Sequence, residues 1–373
     1  IPALQKFQGT DFSVNLPIPG LLTTFIKRFK PDIVHSHHPF LVGDMALRLS
    51  RSLEIPLVFT YHIMFEQYID YFPIHNETFK HFVVNLAAGY SNLCDAVIVP
   101  TQNVKSVLES RGVTSPIHVI PTGIDLRAFG KGDGAHFREK YAIPANAFVI
   151  GYTGRIAPEK NLEFLAQHVA RYLKTNSQAH FLMAGTGPLL NTIKQIFQGH
   201  KLSKQFHSVG LLNPVDIIDC YHAMDIFAFS SHSETQGIVL LEALAAGVPI
   251  LALQDPVVAE FVNDTQNGRL IDGDHPDQFI QAIDWFYHLD DNEYKKMQLS
   301  AQLSAKQYSL LKSINLTLKL YHHLIARQKH IFKKNPRWNR LISNLKIEMN
   351  LLKNFIDAGE HAVKETLVRK KIK

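Results

Sequence analysis

Short apolar runs alternate with longer stretches in which apolar residues follow helical spacing, and this alternation continues through most of the chain. The runs are rich in β-branched and aromatic residues, which predicts buried strands. The predicted strands are 33–37, 57–62, 96–100 and 117–121 in the first half, then 148–153, 180–184, 207–209, 226–230, 249–253 and 269–271. Helices are predicted between them, and the pattern is helical from Asp291 to the end. Such alternation predicts an α/β protein with parallel sheets.

The two series of strands are separated by a loop-rich stretch, 122–147, which holds three closely spaced glycines and is expected to connect two domains. We therefore predict Rossmann-like, doubly wound domains at 1–146 and 147–305. A crossing helix and a helical tail at 306–373 are expected to follow. Domains of this kind bind ligands at the carboxyl ends of their strands, in the cleft between them.

One segment combines strand, loop, helix and strand with polar residues at a strand end. It runs from Ser231 to Leu253 and reads SHSETQGIVLLEALAAGVPILAL. Gly237 is predicted to open the helix. Gly247 stands where a helix C-terminal cap belongs, and Pro249 forbids continuation of the helix.

This segment carries candidate ligand groups. The amides of Gly237, Ile238 and Val239 lie at a helix N-terminus, where free donors and the helix dipole favour a phosphate. Glu234 could accept hydrogen bonds from sugar hydroxyls, and Glu242 could do the same for a ribose. These groups together suit a nucleotide-sugar, although two glutamates at this spacing also occur as an ordinary loop residue and helix-face residue.

The order of these features resembles the donor-site segment of retaining glycosyltransferases of family four. The resemblance implies the GT-B fold, in which two Rossmann-like domains face a cleft. The segment from Tyr152 to Asn161 reads YTGRIAPEKN. It is similar to the family segment that supplies an arginine and a lysine to the donor diphosphate. The resemblance implies that these cations are Arg155 and Lys160 here, after Gly154 at a strand end. Both cations could neutralise charge that develops on a departing diphosphate.

A glycine turn follows the second strand of the same predicted domain. The residues Ala184-Gly-Thr-Gly-Pro188 resemble the family's glycine turn, which implies that Gly185 and Gly187 let the backbone approach the nucleotide base. The alternative is a tight turn between a strand and a helix, with no ligand role.

The first half carries three further matching segments, which are 31–39, 57–62 and 121–125. The first two are similar to the branch that glycosylates lipids such as diacylglycerol, and 121–125 is similar to the family's hinge-side segment. The resemblance implies that His62, at a strand end, contacts the transferred sugar or positions the acceptor; the alternative is a hydrogen-bonded loop histidine. The family also opens with a strand and a glycine-rich loop that this chain lacks, so we expect further sequence upstream of Ile1.

Two sequences could suggest a metal site. His35, His37 and His38 lie close together, but strand alternation places only His35 and His37 on one face, and no acidic third ligand is evident. The motif from Asp272 to Asp274 follows a predicted strand and is expected to be a turn. We predict no metal and no cofactor.

Composition and charge favour a globular protein with an uneven charge distribution. Of the 373 residues, 46% are hydrophobic, and the net charge is +6. No apolar run reaches the ~18–20 residues that span a bilayer. The two cysteines, Cys94 and Cys220, are too few for a disulfide framework, which favours a cytoplasmic location. From Arg327 onward there are 13 Lys and Arg against 4 Asp and Glu, so this tail carries more positive charge than the whole chain. The rest of the chain is therefore slightly acidic, and no nucleic-acid partner is expected.

The basic tail, 337–373, carries an apolar stripe at helical spacing. Its members are Trp338, Leu341, Ile342, Leu345, Met349, Leu352, Phe355 and Ile356. A basic amphipathic helix suits an anionic membrane, which would make the protein peripheral on the inner face of the cell membrane. The alternative is packing against the first domain or a second copy.

The sequence therefore predicts a retaining hexosyltransferase with UDP-glucose as the expected donor and a lipid such as diacylglycerol, or a glycan, as the acceptor. A nucleotide-sugar epimerase of similar fold is one alternative. A non-catalytic module that binds a nucleotide-sugar or a membrane is the other.

Overall fold

The structure, a computed structural model, describes residues 3–6, 13–15, 28–67, 76–232, 234–332 and 338–372. Its contacts divide the chain into two compact units. The first unit combines Ile1–Pro121 with Asn315–Lys373, and the second is Thr122–Ile314.

The first unit is built on a parallel sheet, as predicted. A separate antiparallel pair, β1 (Ala3–Lys6) and β2 (Ser13–Asn15), precedes it in the chain. The parallel sheet has the order β3-β4-β5-β6, with β3 Val34–Ser36, β4 Leu57–Thr60, β5 Ala96–Val99 and β6 Ile117–Val119. Its helices are α1 (Val42–Leu53), α2 (Glu77–Asn92) and α3 (Gln102–Ser110). All four predicted strands of this half are confirmed.

Polar side chains cap the starts of two of these helices. The side chain of Asn76 accepts a hydrogen bond from the amide of Phe79 at the start of α2. Thr101 does the same for the amide of Val104 at the start of α3. Each cap satisfies an amide that a helix N-terminus leaves without an intrahelical partner.

The second unit contains a six-stranded parallel sheet in the order β12-β11-β10-β7-β8-β9. Its strands are β7 (Phe148–Thr153), β8 (Ala179–Ala184), β9 (Phe206–Gly210), β10 (Ile226–Phe229), β11 (Ile250–Leu253) and β12 (Gly268–Ile271). All six predicted strands are confirmed. The strand order reverses beside β7, and in doubly wound sheets ligands bind at the carboxyl ends of the strands beside such a reversal.

Helices cover both faces of this sheet. They are α4 (Leu126–Phe129), α5 (Gly134–Lys140), α6 (Leu162–Thr175), α7 (Leu190–Gly199), α8 (Asp216–His222), α9 (Ile238–Ala245), α10 (Pro276–Tyr287) and α11 (Asp291–Ala305). Helix α9 is apolar almost all round, because Leu240, Leu241, Ala243 and Leu244 are all buried. It is therefore a core helix with one end at the carboxyl edge of the sheet.

The predicted connection at 122–147 differs from the structure. The stretch contains α4 and α5 and belongs to the second unit, so the division falls after Pro121 and not at residue 146. Its apolar residues Ile124, Phe137 and Ile143 are buried in the core of that unit. The sequence pattern did not predict this burial, because the glycines and other turn-forming residues in the loops between the short helices dominate the pattern.

The helical end of the chain was predicted as a separate extension, but most of it is part of the first unit. Helices α12 (Leu310–Phe332) and α13 (Trp338–Ile372) follow α11, and residues from Asn315 onward belong to the first unit. On α13, Ile347, Ala358 and Ala362 are buried, and the helix packs along α2. The predicted alternative of packing against the first domain is thus confirmed for this face.

Four members of the apolar stripe predicted on the tail have described side chains. Met349, Leu352, Phe355 and Ile356 are exposed, with Met349 at 68%, whereas the side chains of Trp338, Leu341, Ile342 and Leu345 lie outside the described ones. Among the described residues, no helix combines the length and apolar character that crossing a bilayer requires.

Candidate functional site

The predicted donor-site residues of the second unit meet at the carboxyl ends of β7 and β10. Lys160 ends a short 3-10 helix, Pro158–Lys160, and Glu234 lies in the loop after β10. Lys160 Nζ lies 2.6 Å from Glu234 Oε1, and the two side chains are only 18% and 12% exposed. The charges are thus paired in a largely enclosed position, where their attraction is screened less than at an open surface.

The loop that carries Lys160 is held to the strand that precedes Glu234. Ser230 Oγ lies 3.0 Å from the carbonyl oxygen of Lys160 and 2.9 Å from that of Asn161. This hydroxyl follows β10 directly, so it ties the end of one strand to the loop after another. The tie places Lys160 and Glu234 at a fixed separation even though they are 74 positions apart in the chain.

Arg155 follows Gly154 at the end of β7. Its Nη1 atom lies 3.7 Å from Glu159 Oε1, and the hydroxyl of Tyr152 donates to its carbonyl oxygen at 3.0 Å. Gly154 has φ 142°, a conformation that favours glycine over residues with a Cβ atom. The structure therefore places both predicted diphosphate cations, Arg155 and Lys160, on the one loop after β7.

The helix after Glu234 begins one residue later than predicted. Gly237 is the N-cap, with φ 64°, and α9 starts at Ile238. Among the described side chains none caps this helix start at the first-turn amides of Ile238 and Val239. A Cβ atom at Gly237 would stand 3.7 Å from Glu234 Cγ, which shows that the carboxylate loop and the helix start are neighbours.

Glu242 lies one turn further along α9 and is engaged by a buried tyrosine. Tyr221 Oη donates to Glu242 Oε2 at 2.6 Å, and Tyr221 is itself hydrogen-bonded to the hydroxyl of Thr153 at the end of β7. Burial raises the pKa of Glu242, and the hydrogen bond from Tyr221 opposes that rise. Sequence reasoning did not find Tyr221 or Thr153, because nothing local marks either residue.

The glycine turn after β8 packs directly on the loop that carries Arg155. A Cβ atom at Gly185, where φ is 136°, would overlap the carbonyl oxygen of Gly154, and one at Gly187 would overlap that of Ile156. The amide of Ile156 also donates to the carbonyl oxygen of Thr186 at 2.9 Å. Close loop packing thus accounts for both glycines, as the tight-turn alternative states, and contact with a nucleotide base remains a prediction.

Gln236 is a third residue that the sequence did not reveal. Its side chain is buried, its Oε1 accepts from the amide of Thr122 at 2.8 Å, and its Nε2 donates to the carbonyl oxygen of Thr122 at 2.8 Å. Thr122 is the first residue of the second unit. The candidate donor loop is therefore bonded to the point where the chain enters this unit.

His62 lies in the first unit, where it joins a group of histidines. His37 Nδ1 lies 2.8 Å from His62 Nε2, and the rings are stacked with centroids 5.0 Å apart. His35 is bonded through both ring nitrogens, to Tyr321 Oη at 2.5 Å and to Thr60 Oγ1 at 2.6 Å. Partial burial and the neighbouring histidines lower the pKa of His35 to about 3 and that of His62 to about 4.

These rings are neutral near pH 7, so each hydrogen bond between them has one donor and one acceptor nitrogen. His62 is thus a hydrogen-bonded histidine, as the alternative states, and its contact with a sugar remains a prediction. His38 faces elsewhere, with Nδ1 3.2 Å from the carbonyl oxygen of Phe40. The residues from Asp272 to Asp274 follow β12 as the predicted turn, with Gly273 at φ 66°.

No group of three His, Cys, Asp or Glu within the described part of the chain is arranged to hold a metal ion.

Two family models match the chain. Residues 134–325 match glycosyl transferases group 1, and residues 2–128 match glycosyltransferase family 4. The first match alone covers more than half of the 373 residues.

Curated relatives agree with these models. The alpha-monoglucosyldiacylglycerol synthase of Streptococcus pneumoniae is 31% identical over 276 residues, which are 73% of this chain and 61% of that protein. The synthase of the same name from Acholeplasma laidlawii is 28% identical over 297 residues, which are 72% of this chain and 74% of that protein. The match thus spans less than two thirds of the pneumococcal relative.

Solved structures show the fold. The Anabaena protein HepE in complex with UDP-glucose has a TM-score of 0.71 and 19% identity, covering 83% of this chain and 82% of that one. The predicted GT-B fold, with two Rossmann-like domains, is confirmed. On the family models and the pneumococcal relative together, the chain belongs to the glycosyl transferases group 1 family.

Proposed function

We propose that this protein transfers a hexose from a nucleotide-sugar to a membrane lipid and retains the anomeric configuration. The observation that carries the proposal is the paired Lys160 and Glu234 beside the start of α9, next to Arg155 on the same loop as Lys160. Cations and helix-end amides suit a diphosphate, and a carboxylate suits sugar hydroxyls.

The donor would lie along the carboxyl edge of the second sheet. Arg155, Lys160 and the amides of Ile238 and Val239 would bind the diphosphate. An ammonium group has three N–H donors, so Lys160 could keep its bond to Glu234 while it contacts a phosphate oxygen. Glu234 would accept hydrogen bonds from the sugar.

Four further residues complete the proposed substrate contacts. Glu242 would bind the ribose, and His62 would contact the transferred sugar or position the acceptor. Gly185 and Gly187 would lie beside the nucleotide base. None of these roles requires a metal or a cofactor, since the cations and amides would carry the charge of the leaving group.

The reaction would break the bond between the sugar C1 atom and the diphosphate oxygen. An acceptor hydroxyl would form a new bond to C1 on the same face, and its proton would pass to the departing phosphate. Charge grows on the diphosphate as that bond breaks, so fixed cations and amides lower the barrier most if they are already in place. Holding Lys160 rigidly against Glu234 is a way to keep that cation in place.

The donor and acceptor are proposed by analogy with relatives. The two alpha-monoglucosyldiacylglycerol synthases favour diacylglycerol as the acceptor, and the HepE complex favours UDP-glucose as the donor. The exposed face of α13 supports a membrane partner, because Met349, Leu352 and Ile356 lie beside the exposed Lys353. Apolar side chains with flanking lysines suit the surface of an anionic bilayer. The protein would then act at the cytoplasmic face of the cell membrane.

The deciding experiment offers UDP-glucose labelled in the sugar to the purified protein, with diacylglycerol in vesicles that contain anionic lipid. Label in the organic phase, absent with Glu234→Ala, supports the proposal, and the anomeric proton signal of the product reports retention. Conversion of the sugar without an acceptor would instead indicate an epimerase. If the protein binds nucleotide but turns over neither UDP-glucose nor other nucleotide-sugars, the result would indicate a binding module.

A further inference from the structure

A chain of three buried or half-buried polar side chains leads from β7 to the carboxylate of Glu242. Thr153 ends β7, Tyr221 lies on α8, and Glu242 lies on α9. The Tyr221 side chain is fully buried, and Thr153 is 2% exposed. The three residues are distant in sequence, so the chain of hydrogen bonds exists only because α8 and α9 lie beside the end of β7.

The directions of these hydrogen bonds follow from the groups involved. Glu242 Oε2, as an ionised carboxylate, can only accept, so Tyr221 Oη donates to it at 2.6 Å. With its own proton used in this way, the Tyr221 oxygen must accept from the hydroxyl of Thr153. The order of donation is therefore Thr153 to Tyr221 to Glu242. Among the described residues, no hydrogen-bond partner is seen for the second carboxylate oxygen, Oε1.

We propose that Tyr221, supported by Thr153, is a positioning residue that orients the Glu242 carboxylate for recognition of the ribose hydroxyls of the donor. This inference rests on the proposed function, since it takes the ligand to be a nucleotide. Tyr221 does not touch the ligand. It holds one carboxylate oxygen, which fixes the rotamer of the side chain and leaves the other oxygen for the ligand.

The geometry explains why a tyrosine is used here. A charge-assisted hydrogen bond is directional, so it restricts the carboxylate to one orientation before the ligand arrives. Burial raises the pKa of Glu242, which favours the protonated form, and the Tyr221 hydrogen bond stabilises the charged form instead. A charged carboxylate with a free oxygen is the better acceptor for a pair of sugar hydroxyls.

The test compares two ligands that differ only in the ribose hydroxyls. Calorimetry measures the Kd of UDP and of 2′,3′-dideoxy-UDP for the wild type, Tyr221→Phe and Thr153→Val. The affinity ratio between the ligands reports recognition of the hydroxyls alone. In the wild type we expect UDP to bind more tightly, and Tyr221→Phe should reduce the ratio by about three- to tenfold, since a hydrogen bond to a charged group is lost. Thr153→Val should reduce it by a smaller factor.

Tyr294→Phe is the matched control. Tyr294 is partly buried in the second unit, and its hydroxyl donates to the carbonyl oxygen of Asp225 at 2.7 Å. This variant removes a hydrogen-bonded tyrosine hydroxyl, so it should lower stability without changing the affinity ratio. A merely structural role for Tyr221 would make the two variants alike.

The outcomes separate this inference from the proposed function. A wild type that binds neither UDP nor UDP-glucose would overturn the proposed donor and this inference with it. A wild type that binds both ligands equally would overturn the role of Glu242 and its positioning, and would leave the transferase assignment intact. Discrimination that persists in Tyr221→Phe would overturn the positioning role alone. If Tyr221→Phe does not fold, Thr153→Val decides instead, because it removes the support of Tyr221: the proposal expects its smaller reduction of the affinity ratio, and an unchanged ratio would overturn the proposal.

Discussion

The ammonium nitrogen of Lys160 lies 2.6 Å from a carboxylate oxygen of Glu234, although the two residues come from loops after different strands. Ser230 holds the backbone of the Lys160 loop from the end of β10, so the pair is fixed by two adjacent strand ends. A cation proposed to bind a phosphate and a carboxylate proposed to bind a sugar are thus held next to each other, as the adjacent parts of a nucleotide-sugar would require.

Removing either charge of this pair should abolish most transfer without unfolding the protein. Lys160→Ala and Glu234→Ala should each lower kcat by about 10²–10³, because the lost groups act on charge and position in the transition state. Radiolabelled transfer measures the rate, and the melting temperature reports the fold. The matched control is Lys174, an exposed lysine in the last turn of α6. Lys174→Ala should retain wild-type transfer, and wild-type rates in both site variants would contradict the assignment.

Replacing Gln236 should loosen the donor loop. Gln236→Ala removes two hydrogen bonds to the backbone of Thr122, which we expect to lower the free energy of unfolding of the second unit by about 1–2 kcal/mol. A denaturant titration measures this loss, with hydrogen exchange of the amides in the second unit as the readout. Gln198, exposed on α7, supplies the control, since Gln198→Ala should change the stability little. Equal stabilities in the two variants would mean that the Thr122 contact contributes nothing.

The histidine group of the first unit predicts a fall in stability on mild acidification. The pKa of His35 is lowered to about 3 in the folded chain from an ordinary value of 6.5, so the unfolded chain binds a proton first as the pH falls. The contribution of neutral His35 to the free energy of unfolding is therefore complete above pH 6.5 and is lost between pH 6.5 and about 3. One such proton changes the free energy of unfolding by at most about 1.4 kcal/mol per pH unit.

Melting temperatures measured from pH 7.5 to 5 test this expectation on His35→Gln and on the exposed His200→Gln. The first variant should show a weaker dependence on pH than the wild type, because a titrating group has been removed. The second should keep the wild-type dependence. A parallel pH dependence in wild type and His35→Gln would contradict the pKa shift.

The two faces of α13 should respond to substitution in opposite ways. Ala358 is 2% exposed, on the buried face of the helix, whereas Ile356 is half exposed. Ala358→Asp would bury an unpaired charge and should release the helix from α2, which hydrogen exchange across 347–366 would detect. Ile356→Asp should leave the exchange pattern intact and reduce sedimentation with anionic vesicles.

Unchanged vesicle binding in Ile356→Asp, combined with the same result for Met349→Asp, would remove the support that α13 gives to a membrane partner. The transferase assignment would survive, because it rests on residues of the second unit. If the amides of α13 remain protected from hydrogen exchange in Ala358→Asp, the contact with α2 tolerates the charge.

The sequence alone determined the elements and the identity of several candidate residues. Apolar runs and helical spacing are local properties, so they predicted all ten parallel strands and the helical end correctly. The segment from Ser231 to Leu253 likewise carries its loop, helix start and helix end in its own residues. Glu234 could be named because it follows a strand whose end is visible in the pattern, and Arg155 and Lys160 because their segment resembles the one that binds the donor diphosphate in the family.

Tertiary structure alone decided which of these residues touch and which partners hold them. The bonds of Tyr221 to Glu242 and of Gln236 to Thr122 join elements that are distant in the chain, and no periodicity encodes which elements become neighbours. The same reason explains the glycine turn, where Gly185 is required by the carbonyl of Gly154 and not by its own loop. It also explains α13, where residues of similar apolarity face either α2 or solvent. Burial of a polar or apolar group is settled by the surface that packs over it, and that surface comes from elsewhere in the chain.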